Sequence, residues 1–179
     1  MSITHKRLSI ALFLITFIAA SAAADAAFAL SAAGLADNAL LAQSAGCERD
    51  GGANQAPTLN WSAPPAGTRS FAIVATDPDG GKGKGAIHAV IYNIPGTATS
   101  LTTAQVSSKA FAGGELGSGV TGFRGPCPPA GDAPHHYIFT IYALDIPLLP
   151  TGLDRDSLMQ AMSGHSLDAT STILRYQAP

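Results

Sequence analysis

A mostly-β, sandwich-like fold is what this sequence predicts, and three observations predict it. Short runs of β-branched, aromatic and aliphatic residues recur along the chain, each closed by a turn rich in proline or glycine. Only one stretch, close to the C-terminus, carries a convincing helical start and stop. Charged residues are 12% of the 179, against 19 glycines and 12 prolines, so turns are many and long charged helices are not expected. A chain of this length is one domain with room for a real core. Its formal charge of −2, with no run of Lys or Arg, argues against nucleic acid as the natural partner.

The chain opens on a targeting signal. His5-Lys6-Arg7 form a positive end, Leu8 to Ala20 an apolar run, and Ala22-Ala23-Ala24 a small-residue cleavage site. The run is too short to stay behind as a membrane anchor, which needs about 20 residues. Residues 1–24 are therefore expected to be cleaved as a signal peptide, leaving 25–179 as a single periplasmic or secreted domain. A later cut at Ala27-Phe28-Ala29 would remove what reads as the start of a first strand, Phe28 to Ser31. Cleavage after Ala24 takes away two basic residues and no acidic one, moving the formal charge from −2 to −4. In an oxidising compartment Cys47 and Cys127, the only cysteines, are free to pair, although two free thiols fit the sequence equally.

Ser31 to Gly52 shows no clear element, and Cys47 to Pro57 is dense in turn formers. Leu59-Asn60-Trp61 is a short strand with the only Trp. After Pro64-Pro65-Ala66-Gly67 comes a strong strand, Ser70 to Thr76, ended by Asp77-Pro78-Asp79-Gly80-Gly81. A Lys/Gly loop to Gly85 leads into a second strong strand, Ala86 to Ile94, closed by Pro95-Gly96. Leu101 to Gly119 is weakly patterned. A rigid, irregular loop from Gly122 to Pro134 then feeds a buried strand from Tyr137 to Leu144, with His135 and His136 at the seam. Asp154 or Asp156 caps a helix over Ser157 to Met162 that Gly164 ends, and Ala169 to Tyr176 is the last strand.

Polar groups gather where these strands end: Asp77, Asp79, His88, His135 and Tyr137. Each has an ordinary structural use. Asp-Pro-Asp-Gly is a turn sequence in its own right, a His among apolar neighbours is commonly a satisfied core residue, and Tyr137 fits a core position. Together they suit an anion site, because imidazoles and a phenol donate hydrogen bonds and a carboxylate can orient an imidazole and raise its pKa. Asp77 is expected to hydrogen-bond one of the imidazoles. A metal suits them less, since the adjacent His135 and His136 point to opposite faces of a strand. Gly164-His165-Ser166-Leu167-Asp168 has the look of a nucleophile elbow but lacks the final glycine and follows a helix.

Three motifs in order carry a family resemblance. Asp77-Pro78-Asp79, His88 ahead of Val90-Ile91-Tyr92-Asn93-Ile94-Pro95, and Gly125-Pro126-Cys127-Pro128-Pro129 with His135-His136-Tyr137-Ile138-Phe139 resemble the phosphatidylethanolamine-binding protein (PEBP) family. The likeness is strongest to its bacterial, Raf-kinase-inhibitor-like branch and runs from Phe28 to Tyr176. It implies a large central antiparallel sheet flanked by a smaller one, with one late helix and a small pocket for phosphate-type anions. By the same resemblance Asp77, His88, His135 and Tyr137 line that pocket, Pro128 forms its wall and Cys127 its rim. Four positions depart from the family pattern: Ala89 replaces a Trp, His136 an Arg, and Gly80-Gly81 an Ala-Pro.

The function expected from these readings is binding rather than catalysis. An exported PEBP-like protein would take a small anionic ligand such as phosphate, acetate or phosphoethanolamine, with no cofactor and no metal, and could regulate another protein. The alternatives are a secreted hydrolase, a protease inhibitor working from the same region, or a secreted factor acting on other cells.

Overall fold

The structure, a computed structural model, describes residues 26–107, 112–113, 115–116 and 120–179. The predicted signal peptide, residues 1–24, lies outside the described residues. The elements in chain order are β1 (Ala29–Ala32), β2 (Ala39–Leu40), β3 (Leu59–Ser62), β4 (Ser70–Asp77), a distorted helical turn α1 (Gly80–Gly83), β5 (Ala86–Pro95) and β6 (Ser100–Leu101). There follow α2 (Thr103–Ser107), β7 (Ala112–Gly113), β8 (Glu115–Leu116), β9 (Val120–Thr121), β10 (His135–Leu144), α3 (Arg155–Ala161) and β11 (Ser166–Tyr176).

β4, β5 and β10 are central strands of one six-stranded sheet, ordered β2-β11-β10-β4-β5-β7, and β1-β3-β6 form a smaller sheet of three. A two-stranded ribbon, β8-β9, stands apart. The large sheet is antiparallel except at one edge, where β2 runs parallel to β11 through Leu174 and Arg175. The central antiparallel sheet is as expected, and β2, which adds the parallel edge, is only two residues long, too short to leave a pattern in the sequence.

Both faces of the large sheet are buried, which is why its inner strands read as nearly unbroken apolar runs. Phe71, Ile73 and Ala75 of β4 and Tyr137, Phe139 and Ile141 of β10 face the small sheet, packing with Leu30, Leu59, Trp61 and Leu101. Ala72, Val74, Val90 and Tyr92 form a second core under Leu149, Leu158 and Met162. Phe28 belongs to the first core, its ring 6.2 Å from Phe71, so a cut at Ala29 would strip a packed side chain. α3 starts at Asp154, whose carboxylate accepts from Ser157 N at 2.8 Å, while Asp156 pairs with Arg155. Gly164, at φ +80°, then turns the chain into β11.

Two strands run well beyond their predicted starts. β10 takes in both histidines, and β11 begins at Ser166, so the elbow-like Ser166-Leu167-Asp168 lies in a strand, at a bulge where Ser166 and Asp168 pair with Leu144 and Ala143. His165, just before it, pairs with Asp145 at 2.9 Å.

Candidate functional site

The site lies where β4, β5 and β10 end together. Alternation along a strand places Asp77 on the same face as Phe71, Ile73 and Ala75, and His135 on the face of Tyr137 and Phe139. All of these face the first core. His88 arrives differently. Ala75 pairs with Ala89 and Thr76 with Ile87, so β5 carries one residue too many here, and that residue is His88. Strict alternation from Ala89 and Ile91 would send position 88 to the other face. The bulge turns the ring back, and it meets Tyr137 edge-on with centroids 5.0 Å apart.

Asp77 is the hub. Its Oδ2 takes His135 Nδ1 at 2.9 Å and lies 4.0 Å from His88 Nε2. Its Oδ1 accepts the backbone N–H groups of Asp79 and Gly80 at 2.8 and 2.9 Å. Gly80 has to be small here, because a Cβ on it would fall 2.9 Å from Asp77 Oδ2. Asp77, His88, His135 and Tyr137 are buried at 3, 5, 8 and 1% exposure, unusual for groups of this polarity.

Each ring is held in a defined state. His88 Nδ1 sits 2.8 Å from the Arg124 carbonyl, to which it can only donate, so neutral His88 presents the bare lone pair of Nε2 to the pocket. Burial holds the pKa of His88 below the usual value, outweighing the pull of Asp77. Burial also works against charge on His135, but the Asp77 hydrogen bond and the charges of Asp77 and Asp79 outweigh it and raise its pKa above 6.5. Tyr137 is pushed far up by burial and by the Asp77 charge, so it is a neutral phenol. Its hydroxyl is buried and makes no hydrogen bond of good geometry among the described residues, although the Asp77 carboxylate is close enough to act on it. A donor left so costs roughly 1–3 kcal/mol, and such a group calls for an explanation.

The Gly125–Pro134 loop runs beside the cluster, from Arg124 at His88 to Asp132 at His135, and is fastened by the Cys47 segment. Cys47 and Cys127 form a disulfide, with Cα atoms 5.4 Å apart. Cys47 N donates to the Pro126 carbonyl at 2.8 Å, and Asn54 Oδ1 accepts from Gly125 N at 3.0 Å. Arg49 reaches the carbonyls of Cys127 and Pro128 at 3.2 and 2.8 Å. Neither Arg49 nor Asn54 stood out in the sequence, since both lie in a loop about 75 positions from the groups they hold. Cys47, Asp50 and Cys127 bring potential ligand atoms within 4.8 Å of one another, but both sulfurs are spent in the disulfide.

Of the residues picked from the sequence, Asp77, His88, His135 and Tyr137 converge, and Pro128 is buried in the adjoining loop. Asp79 stands apart at the rim: its Oδ2 takes both the backbone N and Nδ1 of His136 at 2.8 Å, and both side chains are about half exposed. Those two bonds from His136 hold the Asp79 pKa down. Cys127 contributes its backbone and its disulfide rather than a free thiol. One further polar group reaches the site, Asp132, whose Oδ2 is 3.6 Å from His135 Nε2. A cleft of about 690 Å³ is lined by Thr76, Asp77, Lys84, Ile87 and Arg155, so it shares Asp77 with the cluster. Two of its acidic groups are already engaged, Asp154 in the α3 cap and Asp156 with Arg155.

Two packed sheets, with a buried His–Asp–Tyr cluster where the central strands end, make this a PEBP-type protein in architecture. The chain belongs to the phosphatidylethanolamine-binding protein family, which it matches over residues 31–177. It is similar to the YbcL protein of Escherichia coli (strain K12), 39% identical over 130 residues that cover 69% of this chain and 68% of that one. A lipoprotein-named relative, LppC of Mycobacterium tuberculosis (strain ATCC 25618 / H37Rv), is 41% identical over 124 residues, covering 64% of this chain and 58% of its own. The crystal structure of E. coli YbcL, described as a new member of the mammalian PEBP family, superimposes with a TM-score of 0.77 at 30% identity. That superposition covers 86% of this chain and 100% of YbcL.

Proposed function

We propose that this protein is an exported binding protein whose buried cluster takes a small phosphate-type anion. The observation that carries the reading is the Tyr137 hydroxyl, a buried donor with no hydrogen-bond partner among the described residues and with the Asp77 carboxylate nearby, beside a His135 ring primed for charge. An anionic oxygen between them would accept from Tyr137 and from His135 Nε2–H. A singly protonated phosphate could in addition donate its O–H to His88 Nε2, the acceptor that the Arg124 contact leaves facing inward.

Binding rather than catalysis fits the partners of the imidazoles. His88 and His135 are engaged by a backbone carbonyl and by carboxylates, not by a hydroxyl or thiol that they could activate. Export is supported by the N-terminal signal pattern, by the disulfide, and by the lipoprotein name of a relative. No helix among the described residues is long and apolar enough to cross a membrane. Mass spectrometry of the protein recovered from its own cells should find a chain beginning at Asp25. Calorimetric titration with inorganic phosphate tests the pocket: wild type should bind, and His88→Ala and His135→Ala should each lose at least tenfold in affinity. Binding that ignores both substitutions would reject the reading.

A further inference from the structure

We infer that Asp132 is a tethered competitor of the ligand, a carboxylate that the chain itself holds at the His135 nitrogen an incoming anion must use. This rests on the anion reading above and adds a residue to it. His135 has two ring nitrogens, and Asp77 takes Nδ1. The other, Nε2, has the Asp132 carboxylate 3.6 Å away.

The loop places that carboxylate there by its backbone. Asp132 N closes a turn onto the Pro129 carbonyl at 3.2 Å, and Gln177 Nε2 donates to the Asp132 carbonyl at 3.1 Å. With the main chain fixed on both sides, the side chain stays near His135 while remaining free to swing, being half exposed. At 3.6 Å the contact is longer than a good charge-assisted hydrogen bond of about 2.8 Å, so it is easily given up. It behaves as a placeholder, compensating the His135 charge in the empty pocket and yielding to a better anion.

Three carboxylates therefore bear on one imidazole: Asp77 in the floor, Asp79 at the rim and Asp132 from the loop. His88 adds an imidazole from β5. An entering phosphate gains His135 and meets the repulsion of Asp132, which must move aside. The arrangement disfavours weak, singly charged anions and sets the affinity below what the buried donors alone would give. Asp132 was passed over in the sequence because it reads as part of the Gly131-Asp132 turn, and its use appears only once β10 brings His135 beneath it.

Removing the carboxylate should tighten phosphate binding about five- to tenfold, the effect of one partly screened like charge a few ångströms away. Phosphate should be titrated calorimetrically at pH 5.5, where His135 is protonated with or without its neighbour, into wild type, Asp132→Ala and Asp132→Asn. The asparagine variant keeps the size of the side chain and the turn. In the ligand-free proteins, NMR titration should show the His135 pKa falling in both variants. Tighter binding in both with that fall supports the competitor. Binding by wild type that the variants leave unchanged or weaken overturns it, as does a His135 pKa that does not move. Absence of phosphate binding in wild type and variants alike overturns the anion reading together with it.

Discussion

Two neighbouring residues of β10 make the same bond in different surroundings. His135 and His136 each place Nδ1 against an aspartate at the end of β4, Asp77 at 2.9 Å and Asp79 at 2.8 Å. By distance the pairs are twins. One is enclosed in the pocket floor and the other stands half exposed at the rim. In water such a pair is screened and worth little; enclosed, each partner depends on the other because solvent cannot replace it. Contact geometry alone would rank the pairs equal, and burial separates a surface ion pair from a potential working site.

The sharpest way to break this comparison is to delete each aspartate in turn. Asp77→Ala removes the partner of a buried imidazole and strands the N–H groups of Asp79 and Gly80, at a cost of about 3–5 kcal/mol. Asp79→Ala should cost about 1 kcal/mol or less. Urea denaturation of the two variants decides, and equal losses would mean that burial is not the discriminating factor.

Loss of the Cys47–Cys127 link comes next. The cysteines are 80 positions apart, and joint replacement by serine should destabilise by about 2–4 kcal/mol on the loop-entropy view. The phosphate affinity should fall as well, because the loop beside His135 would lose its covalent tie and keep only hydrogen bonds, those of Arg49, Asn54, Pro126 and Gln177 among them. Titration of the unreduced, denatured protein should find no free thiol.

Tyr137→Phe sharpens the comparison in the opposite direction. The hydroxyl it removes has no hydrogen-bond partner among the described residues, so stability should hold or rise by about 1 kcal/mol while phosphate binding weakens. A substantial loss of stability would show that the hydroxyl is satisfied within the chain. The smallest effect is expected at the rim, where His136→Ala should change stability by less than about 0.5 kcal/mol and leave phosphate affinity nearly unchanged.

The pH dependence of stability should expose the two pocket histidines separately. His135, its pKa raised, stabilises the fold fully below about 6.5 and loses that contribution as pH climbs through its raised value. His88, its pKa lowered by burial, stabilises above about 6.5 and loses that contribution as pH falls through its lowered value. The two oppose each other. His88→Ala should therefore favour acid relative to wild type, and His135→Ala should favour base, in denaturation midpoints measured at pH 5.5 and 7.5.

Much of this was legible in the sequence because much of it is local. The runs Ser70–Thr76 and Ala86–Ile94 are apolar over enough residues to declare central strands, and Asp154 with Ser157 and Gly164 marks one helix. Asp77, His135 and Tyr137 could be grouped because each falls where a legible strand starts or stops. What escaped was set by partners distant in sequence. The bulge that aims His88 exists only in register against β4, β2 is a two-residue addition to the edge of β11, and Arg49 and Asn54 become loop fasteners only across the disulfide. Asp79 was grouped with the site by its neighbours Asp77 and Pro78, yet its carboxylate faces outward to His136.

The central claim is that the His88–His135–Tyr137 cluster receives an anion, and its most direct test is affinity against pH. A bound anion favours the protonated form of both imidazoles, so binding should take up protons and strengthen as pH falls. Sulfate is the cleaner probe, since its own charge does not change between pH 5.5 and 7.5 as that of phosphate does. Calorimetry at the two pH values should show sulfate binding more tightly at 5.5. Affinity that is equal at both, or weaker in acid as at a metal site where protons compete for the same nitrogens, would contradict the claim.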